Sequence, residues 1–136
     1  MQISPYLNFN GRCEEAFKLY EQRLGGKIIT KTTYEETPMA DQVPSEWRKK
    51  IIHASIKIGD LILMGADSPP ENYDEPKGIS LTISVKDPAE AERIFSALSV
   101  DGTVRMPLQQ TFWAASFGML VDQFGIPWMV NCEQAS

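Results

Sequence analysis

Histidine occurs once, at His53, and cysteine twice, at Cys13 and Cys132. A lone imidazole cannot assemble a metal centre, which needs several protein ligands. Neither cysteine stands in a Cys-x-x-Cys pair or beside a histidine, so the sequence presents no redox dithiol and no activated thiol nucleophile. The two are read as small, partly buried, reduced thiols of a cytoplasmic protein rather than as one bridge between opposite ends of the chain. Long apolar runs are missing as well. Nothing approaches the ~20 residues that cross a bilayer, and Met1-Gln2-Ile3-Ser4-Pro5 has neither the basic start nor the apolar stretch of a signal peptide. Basic residues are in deficit, 13 Lys and Arg against 18 Asp and Glu, for a net charge of −5. That balance lacks the basic footprint of a nucleic-acid binder and gains nothing from an anionic membrane surface. The one basic run, Arg48-Lys49-Lys50, follows Glu46 and leads into two isoleucines; it is read as the solvated start of a strand. A glycine-rich phosphate loop, a Ser-His-Asp order and a zinc spacing are all absent.

What the 136 residues do hold is an ordinary globular mixture, 43% apolar and 23% charged, enough for one domain with a real core. Leu7 and Phe9 alternate with Asn8 and Asn10, which predicts a half-buried strand over residues 6–10. A helix is predicted over 13–24, with Ala16, Leu19, Tyr20 and Leu24 as its apolar stripe and Gly25-Gly26 as its stop. Residues 27–34, rich in Ile and Thr, read as a strand. Residues 35–50, with Pro38 and Pro44, read as a long loop of the kind that is often functional. Strands at 51–58 and 61–65 flank Gly59-Asp60, a hairpin turn. Residues 66–77 contain too many prolines for a sheet interior and form a connector.

The pattern then starts again. Leu81, Ile83 and Val85 alternate as a strand. Asp87-Pro88-Ala89-Glu90 is a helix start, with Asp as the cap, Pro at the first turn and Glu three positions on; Ala91, Ile94, Phe95 and Leu98 form its stripe. Strands follow at 103–109, 112–121 and 126–131, the last two joined by the turn Asp122-Gln123-Phe124-Gly125. Laid together, Leu7-Asn8-Phe9 matches Leu81-Thr82-Ile83, and residues 16–20 match 91–95. This internal repetition gives the order β-α-β-β-β twice: module one over about 1–66 and module two over about 78–134 of a single domain spanning 1–136. The expected class is α+β, two curved sheets around a shared cleft with helices outside.

These elements and several local runs resemble one known family. The runs are Ser4-Pro5-Tyr6-Leu7-Asn8-Phe9 with Gly11, Ala16-Phe17 with Tyr20, Leu24-Gly25-Gly26, His53-Ala54, and Leu63-Met64. The most specific are Thr111-Phe112-Trp113-Ala114 with Phe117-Gly118, and the stretch from Asp122 to Asn131. The chain resembles the vicinal-oxygen-chelate superfamily of glyoxalases, bleomycin-resistance proteins and ring-cleaving dioxygenases, in its PhnB-like branch. The resemblance implies a βαβββ-βαβββ fold and a homodimer. Metal-dependent members carry four ligands, mostly His and Glu, one on each of four strands. The matching positions here offer Ser4, Pro5 or Tyr6, then Leu63 or Met64, then Ser80, then Met129 where metal enzymes carry Glu. A hard divalent ion wants oxygen or imidazole donors, so the chain departs from the family's pattern at these positions, and no metal or other cofactor is expected.

His53 is left with two readings: a strand-end histidine bonded to backbone or solvent, or a general base with a pKa near neutrality. Tyr6, Gln110, Phe112, Trp113, Phe117 and Trp128 are candidates for a ligand pocket, against the alternative of core or interface packing. Asp67, at a strand end near the expected cleft mouth, is a weaker candidate of the same kind, since such carboxylates usually form turns. The expected function is therefore metal-independent binding of an unidentified small molecule in the cleft. The alternative is a lyase, isomerase or dioxygenase with His53 as general base and a non-standard or absent metal.

Overall fold

The computed structural model describes residues 1–133, and their contacts divide the chain into two units, Met1–Glu75 and the part from Pro76 onward. The first unit runs β1 (Tyr6–Phe9), α1 (Cys13–Leu24), β2 (Lys27–Thr33), β3 (Ile51–Ile58) and β4 (Leu61–Asp67). The second runs β5 (Leu81–Val85), α2 (Pro88–Ser99), β6 (Thr103–Gln109), β7 (Ala114–Val121) and β8 (Pro127–Glu133). Each unit forms one mixed four-stranded sheet, ordered β1-β4-β3-β2 and β5-β8-β7-β6. In both, the first strand pairs in parallel with the last and the remaining pairs are antiparallel. The predicted strand–helix–three-strand repeat is therefore present twice.

Each helix covers one face of its own sheet. α1 buries Cys13, Ala16, Phe17 and Tyr20, and α2 buries Ala91, Ile94, Phe95 and Leu98. Both stripes have the spacing i, i+3, i+4, i+7. That equates Phe17 with Phe95, and replaces the match of residues 16–20 with 91–95 drawn from local identity; Leu19 and Leu24 lie at the half-buried edge of the α1 stripe. Under each phenylalanine the sheet carries a glycine. A Cβ on Gly65 would stand 3.1 Å from Phe17 Cζ, and one on Gly118 would stand 2.6 Å from Phe95 Cε2. Both glycines let the helix approach the sheet, and they fix which face of each sheet is packed. Burying one phenylalanine in each of these seats contributes roughly 1.5–3 kcal/mol.

The two helices begin differently. Asp87 caps α2 locally, its carboxylate accepting from Ala89 N at 3.0 Å. Glu90 does not complete a capping box; it pairs with Arg93 one turn on. At the start of α1 the cap position is Arg12, with no side-chain cap. The donor there is satisfied from a distance: Asp67 Oδ1 accepts from Cys13 N at 2.9 Å, and its Oδ2 accepts from Ile51 N at 2.9 Å.

Two readings of the loops change. Residues 35–50 lie in a segment containing three short 3-10 turns, closed by Tyr34 N donating to Lys50 O at 3.0 Å and anchored by Tyr34 Oη donating to Asp67 O at 2.9 Å. Phe112 and Trp113, expected on a strand, sit in a bend before β7. Aromatic residues favour strands, but Thr111 N donates to Ala114 O at 3.2 Å and Thr111 Oγ1 accepts from Ala114 N at 3.1 Å. That tight closure ejects the two rings from the ladder.

Candidate functional site

The face of the first sheet turned away from α1 is a built surface. Register pairs place Thr30 beside Ser55, Ser55 beside Met64, and Met64 beside Tyr6, one residue from each strand. A second row begins with Thr32 beside His53 and ends with Ala66 beside Asn8. A groove of about 480 Å³ lies over this face, lined by Ser4, Thr30, Thr32, His53, Ser55 and Met64, with Ile29 and Ile62 at its apolar margin. Thr30 Oγ1 and Ser55 Oγ share a hydrogen bond of 2.8 Å. The Tyr6 hydroxyl stands 3.5 Å from His53 Nδ1, a long contact, with the two rings 5.9 Å apart. Burial, then the nearby Cys13 thiol, pushes the Tyr6 phenol above its ordinary range. At neutral pH the phenol is therefore protonated, with a proton to offer across this contact.

The equivalent face of the second sheet has different chemistry. One row runs Met106, Met119, Met129, Thr82; the next runs Gln109, Phe117, Asn131, Ser84. Trp113 packs edge-on against Phe117 at 5.3 Å and against Phe112 at 4.8 Å. Phe112 is 91% exposed and Trp113 49%. Gln110 is exposed next to them. A concavity of about 460 Å³ in this unit is lined by Lys77, Ser80, Arg105 and Met129 among others.

Two candidates prove to be built into the core. Trp128 is 3% exposed and lies on the α2 side of its sheet, beside Leu120 in register, with Nε1 donating to Asp122 Oδ2 at 2.8 Å. Asp67 is 2% exposed with both oxygens taken by backbone donors. Burial drives its carboxyl above the usual range, opposed by those backbone hydrogen bonds and by Lys50. Neither side chain presents a group to an open face. Burial is also the main reason that the Cys13 thiol is driven up, with Asp67 and Glu14 adding to it. Both cysteines are free and buried. Thr30, Thr32, Ser55 and Asn131 were not singled out from sequence. Their signal was the strand alternation, but which residues stand beside His53 or Phe117 depends on register between strands.

The residues at the family's metal positions fall in the two concavities: Ser4 and Met64 in the first, Ser80 and Met129 in the second. Hydroxyls and thioethers are poor donors for a hard divalent ion. Among the described residues no group of three or more His, Cys, Asp or Glu is placed to hold a metal. The donor set does not fit the metal that the superfamily's enzymes use.

Sheet order and helix placement define a protein of the vicinal-oxygen-chelate fold. A solved glyoxylase/bleomycin resistance protein/dioxygenase domain from Frankia sp. shares it, with a TM-score of 0.65 at 12% identity over 98% of this chain and 95% of that one. The family model described as 3-demethylubiquinone-9 3-methyltransferase matches residues 1–131, and the chain belongs to that family, the PhnB-like branch. It is 34% identical to protein YjdN of Escherichia coli, over 96% of this chain and 95% of the relative. The structure of protein PA1353 from Pseudomonas aeruginosa is similar at a TM-score of 0.89, with 48% identity over 99% of both chains. The putative 3-demethylubiquinone-9 3-methyltransferase, PhnB protein, from Bacillus cereus gives a TM-score of 0.83 at 25% identity, over 97% of this chain and 99% of that one. Among the described residues no helix is long and apolar enough to cross a membrane.

Proposed function

We propose that this chain is a metal-independent binder of a small organic molecule, held on the open face of the first sheet with His53 as its polar anchor. The observation that carries the reading is the juxtaposition of the imidazole, the Thr30–Ser55 hydroxyl pair and Thr32 with Ile29, Ile62 and Met64 in one groove. Small-molecule sites combine a few placed polar groups with an apolar lining in this way, at volumes of roughly 300–1,000 Å³. Tyr6 stands beside the groove, and Gln110, Phe112, Trp113 and Phe117 form a second exposed set in the other unit. The test is a thermal-shift screen of small organic molecules on metal-free protein. A ligand at 100 times its dissociation constant adds ~2.7 kcal/mol of stability, and His53→Ala is expected to abolish that gain. A full equivalent of Zn, Ni, Mn or Fe surviving dialysis would overturn the metal-independent reading.

A second reading, supported by the Tyr6–His53 contact, makes His53 a general base for a lyase, isomerase or dioxygenase. It requires a rate that falls as the imidazole is protonated and vanishes in His53→Gln. Methyl transfer, named in the family's description, fits less well. A nucleoside-type methyl donor is commonly held by a carboxylate on its ribose and a glycine-rich loop. The groove is lined by no carboxylate, and Asp67 and Asp122 are both taken by donors within the fold.

The reading includes a cytoplasmic homodimer. Exposed Ile3, Leu61 and Val104 support an isologous interface of more than ~1,000 Å², and the buried free thiols suit a reducing compartment. Sedimentation equilibrium at micromolar concentration tests it; a species at 15.3 kDa is the monomer and would refute the dimer.

A further inference from the structure

Asparagine stands at positions 8, 10, 72 and 131, and Asn10 alone is followed by glycine. The order matters because asparagine is thermolabile, and the group that attacks its side-chain amide is the backbone nitrogen of the next residue. A glycine there has no side chain to block the approach and is free in φ. Asn10 is exposed and Gly11 half-buried in the bend between β1 and α1, and Gly11 takes φ +85°. Asn72 is exposed too, but Tyr73 follows it.

The attacking nitrogen is held in place. The Gly11 backbone hydrogen-bonds the Asp67 carboxylate, the same group that accepts from Cys13 N and Ile51 N at 2.9 Å each. Gly11 O accepts from Lys50 Nζ at 2.9 Å. Together these bonds clasp the bend to the start of β3. A charge-assisted bond to a carboxylate keeps the proton on the Gly11 nitrogen and fixes its peptide plane.

We propose that Asn10 is a latent deamidation site, guarded in the closed fold by the Asp67 clasp and converted when that clasp opens. In the opened chain hydroxide takes the Gly11 N–H proton and the nitrogen attacks Asn10 Cγ. The Cγ–Nδ2 bond breaks, and ammonia leaves after taking a proton from water, which restores the hydroxide. Water then opens the resulting succinimide ring at either carbonyl, to aspartate or isoaspartate. Either product adds a negative charge next to the clasp, so conversion marks irreversibly a chain that has opened. The site lies outside the His53 groove and does not rest on the binding reading.

The full chain is incubated at pH 8.5, native and in urea, and peptide 1–12 is followed by tandem mass spectrometry, which separates Asn10 from Asn8. In urea Asn10 is expected to convert roughly tenfold faster than Asn72. Modification of a transiently opened site follows the population of the open form, so the native chain is expected to convert Asn10 about tenfold more slowly than the unfolded one, or slower still. Asp67→Ala, shown to be folded by circular dichroism, is expected to raise the native rate about tenfold. Lys50→Met, which frees Gly11 O alone, is expected to raise it about threefold and takes the place of Asp67→Ala should that variant not fold. Trp128→Ala weakens the other unit and is expected to leave the rate unchanged. Equal native and unfolded rates overturn the guard, as does an unchanged rate in the folded clasp variants. A Trp128→Ala rate as fast as that of the clasp variants shows that Asn10 reports global unfolding, and overturns the clasp. Conversion of Asn10 no faster than Asn72 in urea overturns the site itself.

Discussion

The helix-facing sides of the two sheets are alike and their open sides are not. Phe17 over Gly65 and Phe95 over Gly118 repeat one packing solution, and the strand orders are the same. On the open sides, hydroxyls and an imidazole in the first unit stand where methionines, a phenylalanine and amides stand in the second. Packing against a helix restricts volume to within a methyl group, whereas an open face is free to change its chemistry without cost to the core. Function on this fold is therefore to be sought on the sides that differ.

The largest test of that contrast is a pair of tryptophans. Trp128→Ala, on the helix side, is expected to cost ~3–5 kcal/mol in urea unfolding, while Trp113→Ala, on the exposed bend, stays within ~0.5 kcal/mol. Equal losses would remove the distinction between the two sides. Next come the helix starts. Asp67→Ala strands two buried backbone donors and is expected to cost ~2–4 kcal/mol; Asp87→Ala loses one exposed cap, ~1 kcal/mol. Chemical denaturation of both variants ranks them.

A pH series sharpens the comparison further. The Cys13 thiol is held above its ordinary 9.0 in the folded chain, mainly by burial. The unfolded chain therefore loses that proton first as pH rises. Stability from this group is complete below pH 9.0 and is lost above it, at up to ~1.4 kcal/mol per pH unit. Tm measured from pH 8 to 10.5 is expected to fall less steeply in Cys13→Ala than in the parent. An unchanged slope would mean that the thiol does not set it. The smallest stability effect belongs to His53→Ala, on an open face, expected within ~0.5 kcal/mol of the parent. A loss of several kcal/mol would mark His53 as a packing residue.

Much of the scaffold was legible because its causes are local. The bounds of α1, β3, β5 and β6 follow from alternation, helical spacing and the Gly25 and Gly59 stops, and the Asp87 cap is readable within four residues. The backbone partners of Asp67 are illegible for the opposite reason. Its partners Cys13 and Ile51 are distant in sequence, and nothing near position 67 announces them. Phe112 and Trp113 were drawn into a strand by composition, where a two-bond closure between Thr111 and Ala114 decides otherwise. His53 was visible as the lone imidazole. The hydroxyls beside it, and the amide of Asn131 beside Phe117, required the register of four strands.

The parallel pairing of β1 with β4 also sets a clock. Tyr6 meets Met64, 58 positions later in the chain. At ~5–20 residues per second of synthesis, β1 waits roughly 3 to 12 s before its partner strand exists. The β2–β3 pair, closed by antiparallel neighbours, is complete sooner. For that interval the nascent chain carries an unpaired strand with an apolar face, Leu7 and Phe9. The first sheet is therefore completed only when β4 emerges beside that strand.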